Sequence, residues 1–461
     1  MLMPPNAGAR LDRLPVSRFH MRLLALIGSG MVLDTFDINL AGGVLGALVK
    51  SGWSDLDHNA MFISSTFAGM MLGAWLAGLL GDRYGRRFTY QFNLLLFGLA
   101  SLAAAAAPTI DWLIAARFVT GLGLGAEVVV GYATFSEFLP PHSRGRWAGV
   151  LGAIGSSALF ISSVVGLIVI PTLGWRWMFV PVGVGALIVW YLRKSMPESP
   201  RWLESKGRFA EADRLLTAIE AEVGRTHRLP PVAAQAPPHI VQRSAAALFR
   251  GGLLARTVVG SVLMIGLNTV IYGFITWLPS FLVHQGVSVT RSLGVNVLMT
   301  FGGPVGTVIG LILADKWGRK PTLMTFSVVA AALGAVYAAS TDPDVITLLG
   351  FALVTAIYVA VVITWSLYVP ELFPTDLRLR GAGFCNTIGR CATIVTPYLA
   401  VFIFNRAGET GVMGLLIGIQ VVQVVVLATL GIETRLRSLE ALAPVPPPDA
   451  IPAGRVTRSG F

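Results

Sequence analysis

The amino-acid sequence predicts an all-α, polytopic membrane protein with twelve transmembrane helices in two pseudo-symmetric six-helix bundles. Three observations carry this prediction: an apolar composition, twelve apolar stretches of spanning length, and motifs that recur in the two halves of the chain. Hydrophobic residues make up 54% of the 461 positions and charged residues only 13%, about half the charged share of soluble proteins. This composition excludes a set of soluble domains and a disordered chain.

Each of the twelve apolar stretches is long enough to cross a bilayer as a helix, because a hydrocarbon core of about 30 Å needs about 20 helical residues. Residues 1–20 are polar and basic, and the first apolar run already has spanning length, so the pattern does not match a cleavable signal peptide. The stretches are residues 23–47, 59–80, 88–107, 110–134, 147–170, 174–192, 257–283, 293–314, 321–340, 345–369, 382–404 and 411–432.

Lysine and arginine are distributed very unequally between the two predicted sides of the membrane. Of the 35 basic residues, 29 lie on the side of the N-terminus, four lie on the other side, and Arg117 and Arg390 lie inside apolar stretches. The positive-inside rule therefore predicts that both termini are cytoplasmic. Short loops favour a bacterial inner membrane. The same distribution explains the net charge of +11, so no nucleic-acid partner is expected.

One long hydrophilic segment divides the chain into two halves. It contains an amphipathic stretch over residues 208–223, followed by proline breaks at 230–231 and 237–238. The predicted organisation is an N-terminal six-helix bundle (1–192), a cytoplasmic linker with an amphipathic helix (193–256), a C-terminal six-helix bundle (257–432) and a cytoplasmic tail (433–461).

Charged motifs recur at equivalent places in the two halves. Gly81–Arg87 follows the second apolar stretch, and Ala314–Lys320 follows the eighth. Glu137–Pro140 ends the fourth stretch, and Glu371–Pro374 ends the tenth. Parallel repeats of six helices place a binding site between the halves, near the middle of the membrane.

The repeated charges are predicted to gate a conformational change. A carboxylate beside an arginine forms a strong, directional ion pair that can break when two bundles rock. The alternative is that these charges only set the topology, but two copies at equivalent places favour gating. The candidate gating residues are Asp82, Arg86, Arg87, Glu137, Arg146, Asp315, Arg319, Glu371 and Arg380.

These motifs resemble those of the major facilitator superfamily over nearly the whole chain. The paired glycine–aspartate–arginine loops, Gly78–Arg87 and Gly310–Lys320, are the most specific part of the resemblance. Pro197–Leu203, Arg117–Gly125 and Pro370–Pro374 resemble the sugar-porter branch and its related metabolite–proton symporters. The resemblance implies the superfamily's fold and transport by alternating access, without a cofactor.

An aspartate and an arginine inside predicted membrane helices, Asp37 and Arg117, are candidates for proton coupling. A charge at mid-depth costs at least about 2.5 kcal/mol on insertion scales, so each needs a partner or a function. At about 1.5 Å per residue, Asp37 and Arg117 lie at similar depths, so we expect them to pair. Sugar–proton symporters of the resembled family use such a pair for proton coupling. A permanent structural ion pair is the alternative.

Two further acids are candidate proton sites. Asp34–Asp37 resembles the Asp-Gly-Phe-Asp segment of aromatic-acid–proton symporters, with Thr35 in place of glycine. Glu127 lies about 15 Å along the fourth stretch from Arg117. It is either a second proton site or an acid that is hydrogen-bonded to a neighbouring helix.

Arg390 is the main indicator of substrate chemistry. Its repeat position in the first half is Ser156, so the cation belongs to one half only. A lone arginine near the midplane suits an anionic substrate, and Gly389-Arg390 resembles organic-acid symporters; the alternative is a partner for Asp34 or another buried acid. In the seventh stretch, Asn268, Tyr272 and Trp277 are further candidate substrate contacts, although such aromatics more often serve packing.

The predicted function is proton-coupled uptake of a small organic acid, with the substrate, a proton and the lipid bilayer as partners. A sugar or polyol symporter is the alternative within the class, and a transporter-like membrane sensor is the alternative outside it. No nucleotide motif or metal-binding spacing occurs in the sequence, so no cofactor is expected. We expect a monomer.

Overall fold

The computed structural model describes residues 7–232, 244–284, 286–340, 342–374 and 377–435. These residues are almost entirely helical, and no strand occurs among them. Parts of the predicted linker (233–243) and tail (436–461) lie outside the described residues. The first half of the chain contains α1 (Arg18–Lys50), α2 (Leu56–Tyr84), α3 (Arg86–Ala105), α4 (Ile110–Phe138), α5 (Pro141–Leu173) and α6 (Trp175–Ser195). The second half contains α7 (Gly251–His284), α8 (Val289–Lys316), α9 (Arg319–Ala339), α10 (Asp344–Glu371), α11 (378–407) and α12 (409–430).

The structure confirms the predicted spans within the described residues. Ten helical segments have the length and hydropathy of a membrane span. The last of these contains α11 and α12, which run on from one another but are separated at Gly408, where φ is 60° and ψ is −156°. The apolar part of α5, Ser157–Leu173, completes the set of twelve. Several helices extend beyond the predicted apolar stretches, since polar residues form their ends.

Local sequence signals explain where several helices begin. The side chains of Asp55, Thr109 and Ser288 each accept a hydrogen bond from a backbone N–H in the first turn of α2, α4 and α8, which satisfies a donor that a helix leaves free. Gly85 and Gly318 separate α2 from α3 and α8 from α9 at φ values of 98° and 105°. Only glycine adopts such angles readily, so the repeated glycine of each charged loop allows the sharp turn between the helices.

Small residues bring α2 and α4 into close contact. A Cβ atom at Gly121 would collide with the carbonyl oxygen of Thr66, and one at Gly125 with that of Met70. Close backbone approach through small residues is the usual basis of helix packing in membranes. The Gly121–Gly125 run therefore serves close packing of α4 against α2. In the second half, Gly306 of α8 packs on the carbonyl of Thr355 in α10 in the same way.

The linker forms two short helices, Pro200–Ser205 and Phe209–Gly224. The second agrees with the predicted amphipathic stretch, and it buries Ala212, Leu216, Ile219 and Val223 on one face. An N-terminal helix, Ala7–Asp12, packs against it. We call the end of the bundle that carries these helices and the two charged loops the basic end.

The two halves pack against each other away from the basic end. Gly42 and Gly46 of α1 lie against the backbone of Thr276 and Pro279 in α7. Asn296 of α8 donates a hydrogen bond to Ser163 of α5 over 3.2 Å. The end opposite the basic end is therefore closed by contacts between the halves.

Candidate functional site

Asp37 and Arg117 form a buried ion pair between α1 and α4. The Arg117 guanidinium donates to the Asp37 carboxylate over 2.6 Å, and both side chains are at most 1% exposed. Arg117 also donates to the hydroxyl of Thr66 over 3.2 Å, and it lies over the rings of Phe62 and Phe179. The expected pair is therefore present. The second carboxylate oxygen of Asp37, Oδ1, has no hydrogen-bond partner among the described residues.

A second buried ion pair joins Glu127 to a residue that the sequence pattern did not indicate. Arg193, in the last turn of α6, lies 2.5 Å from a Glu127 carboxylate oxygen, and its guanidinium also donates to the carbonyls of Leu26 and Ile27 in α1. Both charged side chains are at most 2% exposed. Arg193 directly follows an apolar stretch, where a basic residue normally marks a membrane boundary. In the structure, the Arg193 side chain points into the helix bundle instead.

Asp34 lies close to this second pair. Its side chain is buried, and both carboxylate oxygens lack a hydrogen-bond partner among the described residues. Its electrostatic neighbours are Glu127, Arg193 and Asp37. The alternative assignment of Arg390 as the partner of Asp34 is therefore wrong for this conformation.

Arg390 lies where α11 of the second half meets α2 of the first. It is half-buried, and its guanidinium donates to the sulfur of Met70 over 3.8 Å. No carboxylate pairs with it in the described part of the chain. Of the other candidate substrate contacts, Tyr272 lies edge-on to the ring of Phe67, with 4.4 Å between ring centroids, and has Arg390 as an electrostatic neighbour. These residues bring a cation, a phenol and a thioether together between the halves.

Two further candidates, Asn268 and Trp277, are more deeply buried. The Asn268 amide donates to the carbonyl of Met264 and packs against Gly389, next to Arg390. Trp277 is fully buried and stacks on Phe281. In this conformation Trp277 presents no surface to a ligand. Tyr272 lies in a π-helical turn of α7, a feature that is frequent at functional sites.

The charged cluster at the basic end of the first half is centred on Arg86. Its guanidinium donates to Asp82 and Glu137, with distances of 3.1 Å to each of these carboxylates, and to the carbonyl of Gly81. The Asp82 side chain is 82% exposed, whereas that of Glu137 is 18% exposed. Arg87 donates to the carbonyl of Lys194. All these contacts stay within the first half.

The second half repeats this cluster around Arg319. The guanidinium lies 3.3 Å from both Asp315 and Glu371, and it donates to the carbonyl of Ala314. Arg380 lies in the first turn of α11, with an exposed side chain. Arg146 lies on α5, and its side chain is outside the described residues. The repeat in the sequence is thus a repeat in the geometry.

Two glutamates that the sequence pattern did not indicate complete the clusters. Glu198 accepts from the backbone N–H groups of Arg86 and Arg87, and Glu433 accepts from those of Arg319 and Lys320. Burial raises the pKa of the Glu198 carboxyl, although three backbone N–H groups oppose this shift. Each carboxylate caps the start of a helix that follows a glycine turn. Their similar spacing in the two halves was a signal that could have revealed them.

Comparisons with known proteins agree with this architecture. The chain is 36% identical over 444 residues to an inner membrane metabolite transport protein of Escherichia coli, YdjE, covering 95% of this chain and 98% of the relative. It is 31% identical over 441 residues to the niacin transporter NiaP of Acinetobacter baylyi, covering 94% and 99% of the two chains. The inward-open structure of the xylose transporter XylE from E. coli superimposes with a TM-score of 0.70 at 18% identity, covering 92% and 99%.

The fold and the repeated charged loops define an integral membrane transporter of the major facilitator superfamily. The family model described as sugar (and other) transporter matches residues 25–445. The chain belongs to this family.

Proposed function

We propose that this transporter imports a small organic anion together with a proton, by alternating access, with its basic end in the cytoplasm. Arg390 is the observation that carries the substrate class. A half-buried guanidinium between the halves, without a carboxylate partner among the described residues, is poorly compensated. A substrate carboxylate can accept two parallel hydrogen bonds from it, whereas a sugar or polyol cannot neutralise its charge.

The Asp37–Arg117 pair supports coupling to a proton. When Asp37 takes up a proton, it loses its charge attraction to the Arg117 guanidinium. The contact between α1 and α4 is then weakened inside a bundle that has to change its packing. Coupling follows if the pair breaks in one orientation of the halves and forms in the other.

The orientation in the membrane rests on charge. The loops, the linker and the N-terminal helix at the basic end carry most of the lysine and arginine residues. Cytoplasmic segments of membrane proteins have this excess. The relatives named as inner membrane proteins are consistent with a cell-membrane location. We further expect a monomer, with no nucleic-acid partner.

The names of two relatives suggest a first substrate to test. One similar protein is named a niacin transporter and another a putative niacin/nicotinamide transporter, and nicotinate is an aromatic carboxylate that fits a site with an arginine and a tyrosine. The sugar alternative is supported by the family model, described as sugar (and other) transporter, and a D-xylose–proton symporter shares the fold. Xylose is therefore the matched neutral probe.

Uptake into proteoliposomes tests the proposal. With a more acidic exterior, the wild type should accumulate nicotinate above its external concentration and should not accumulate xylose. Asp37→Asn should abolish this accumulation but retain exchange of nicotinate across the membrane at equal pH, because exchange needs no net proton movement. Asp111→Asn, an exposed acid in the first turn of α4, is the matched control and should behave as the wild type.

Two results would contradict the proposal. Accumulation of xylose but not of organic anions would contradict the proposal and support the sugar alternative. Full pH-driven accumulation by Asp37→Asn would show that this carboxyl does not couple the proton.

A further inference from the structure

Five charged side chains are buried among the helices of the described part of the first half. The acids are Asp34, Asp37 and Glu127, and the bases are Arg117 and Arg193. Two ion pairs account for four of them, Asp37 with Arg117 and Glu127 with Arg193. Asp34 remains without a compensating charge of its own.

The surroundings of Asp34 disfavour its ionised form. The side chain is buried, and neither carboxylate oxygen accepts a hydrogen bond from a described residue. The charged groups that face it are Glu127 on α4, Arg193 at the end of α6, and Asp37 one turn along α1. Arg193 already pairs with Glu127. An ionised Asp34 would therefore be a third buried anion in a region with only two buried cations among the described residues, Arg117 and Arg193. Burial of an unpaired charge costs several kcal/mol, and a proton removes that cost.

The Glu127–Arg193 pair is held in place from several sides. Arg193 donates to the carbonyls of Leu26 and Ile27, over 2.9 and 3.1 Å. A Cβ atom at Gly30 would collide with the Arg193 guanidinium, so glycine at this position makes room for the pair. Arg193 is thus a positioning residue that lies near Asp34 without pairing with it.

We propose that Asp34 is a second proton-binding carboxyl, which receives the coupled proton from Asp37 and releases it towards the basic end. This inference rests on the proposed function and extends it by naming the exit of the proton. Asp34 lies three residues before Asp37 on α1, about 4.5 Å nearer the basic end along the helix axis. The structure is closed at the opposite end, Asp37 is paired with Arg117, and Asp34 holds the proton.

The transfer balances with a single proton. The O–H bond of protonated Asp37 breaks, the Asp37 carboxylate pairs with Arg117, and an O–H bond forms on Asp34. Release to the basic end breaks that bond and leaves an Asp34 carboxylate. Arg193 then stabilises this carboxylate from its position beside Glu127. With a monovalent organic anion, one proton per cycle makes transport electroneutral.

Infrared spectroscopy of the purified protein tests the protonation of Asp34 without any substrate. A protonated carboxyl gives a carbonyl stretch outside the amide bands. At pH 7 the wild type should show this band, Asp34→Asn should lose it, and Asp37→Asn should keep it. Glu127→Gln should also lose it although Asp34 is intact, because Arg193 is then free to pair with Asp34. A band that is unchanged in Asp34→Asn would overturn the proposal.

Transport measurements test the relay. A difference of one pH unit should drive about tenfold accumulation of nicotinate by the wild type, since one proton carries about 1.4 kcal/mol per pH unit. Asp34→Asn should accumulate none yet still exchange nicotinate at equal pH, and Asp34→Glu should recover accumulation. Asp57→Asn, an exposed acid in the first turn of α2, is the control.

The outcomes separate the two proposals. If the wild type shows no pH-driven accumulation of any organic anion, the proposed function fails, and the infrared band still decides whether Asp34 is protonated. If the wild type accumulates nicotinate and Asp34→Asn does so equally, the function stands and the relay is wrong. Size-exclusion profiles and melting curves of the purified variants show that each one is folded.

Discussion

At the scale of single residues, the two arginines inside membrane helices have different surroundings. Arg117 is at most 1% exposed, and it is held by a carboxylate, a hydroxyl and two aromatic rings. Arg390 is half-buried and has only a thioether sulfur as its side-chain hydrogen-bond acceptor among the described residues. The first arginine is satisfied by the protein. The second retains donors that a ligand can use.

Arg390→Gln should therefore weaken the binding of an organic anion by about 2 kcal/mol or more, about 30-fold in Kd. Arg390→Lys should recover only part of this loss, because an ammonium group lacks the planar fork of a guanidinium. Isothermal titration calorimetry of nicotinate binding to the purified variants measures both changes. Arg406→Gln, on the exposed face of α11, is the control and should bind as the wild type. Full affinity in Arg390→Gln would remove this residue from the substrate site.

The sequence correctly predicted a contact where the depth of two residues in the membrane decides whether they can meet. Asp37 and Arg117 lie at matching depths in α1 and α4, and they pair. Arg193 was missed because its position at the end of an apolar stretch predicts a side chain in the loop, whereas the guanidinium folds back to the α1 carbonyls. Sequence shows that an arginine is near a boundary but not which way a flexible side chain turns. The sequence also could not predict that Trp277 is buried, because its burial depends on how the helices pack against each other.

At the scale of elements, the N-terminal helix and the linker helix Phe209–Gly224 are joined by arginine–glutamate pairs. Arg10 and Arg13 both pair with Glu220 over 2.7 Å, and Arg10 also reaches Asp213 over 2.6 Å. Burial raises the pKa of Glu220, but the hydrogen bonds from the two arginines outweigh it, so the net effect is a lowered pKa. A carboxylate with a lowered pKa stabilises the docked state above its unfolded pKa.

The contact between the N-terminal helix and the linker helix should consequently weaken as the pH falls through the lowered pKa of Glu220, below the usual range for glutamate. Spin labels at Gly8 and Arg225, in a background without cysteine, report the distance between the two helices. Its distribution should be narrow at pH 7 and broaden under acidic conditions. Glu220→Gln should give the broad distribution at pH 7, and Glu222→Gln, an exposed neighbour, should not. An unchanged distribution in Glu220→Gln would show that apolar contacts alone hold the helix.

At the scale of the whole molecule, the ion pairs of Arg86 with Glu137 and of Arg319 with Glu371 each join helices within one half. Arg86 connects the loop after α2 to the end of α4, and Arg319 connects the loop after α8 to the end of α10. The repeat was predictable because the loops share glycine, aspartate and arginine in one order. Their partners Glu198 and Glu433 have a similar spacing to the loops in the two halves, but only the fold shows that they contact the loops. We expect each cluster to hold its own half together as the halves move relative to each other.

Neutralising these clusters should slow transport without preventing membrane insertion. Asp82 and Asp315 are about four-fifths exposed, and an exposed ion pair contributes at most about 1 kcal/mol. Glu137 and Glu371 are about one-fifth exposed, so their arginine pairs are less screened. Asp82→Asn and Asp315→Asn should each lower the initial rate of nicotinate uptake, and Glu137→Gln and Glu371→Gln should lower it further. Because the halves repeat, the two variants of each kind should have similar effects. Uptake rates normalised to the amount of protein in the membrane measure this order, and wild-type rates in all four variants would mean that the charges only set the topology.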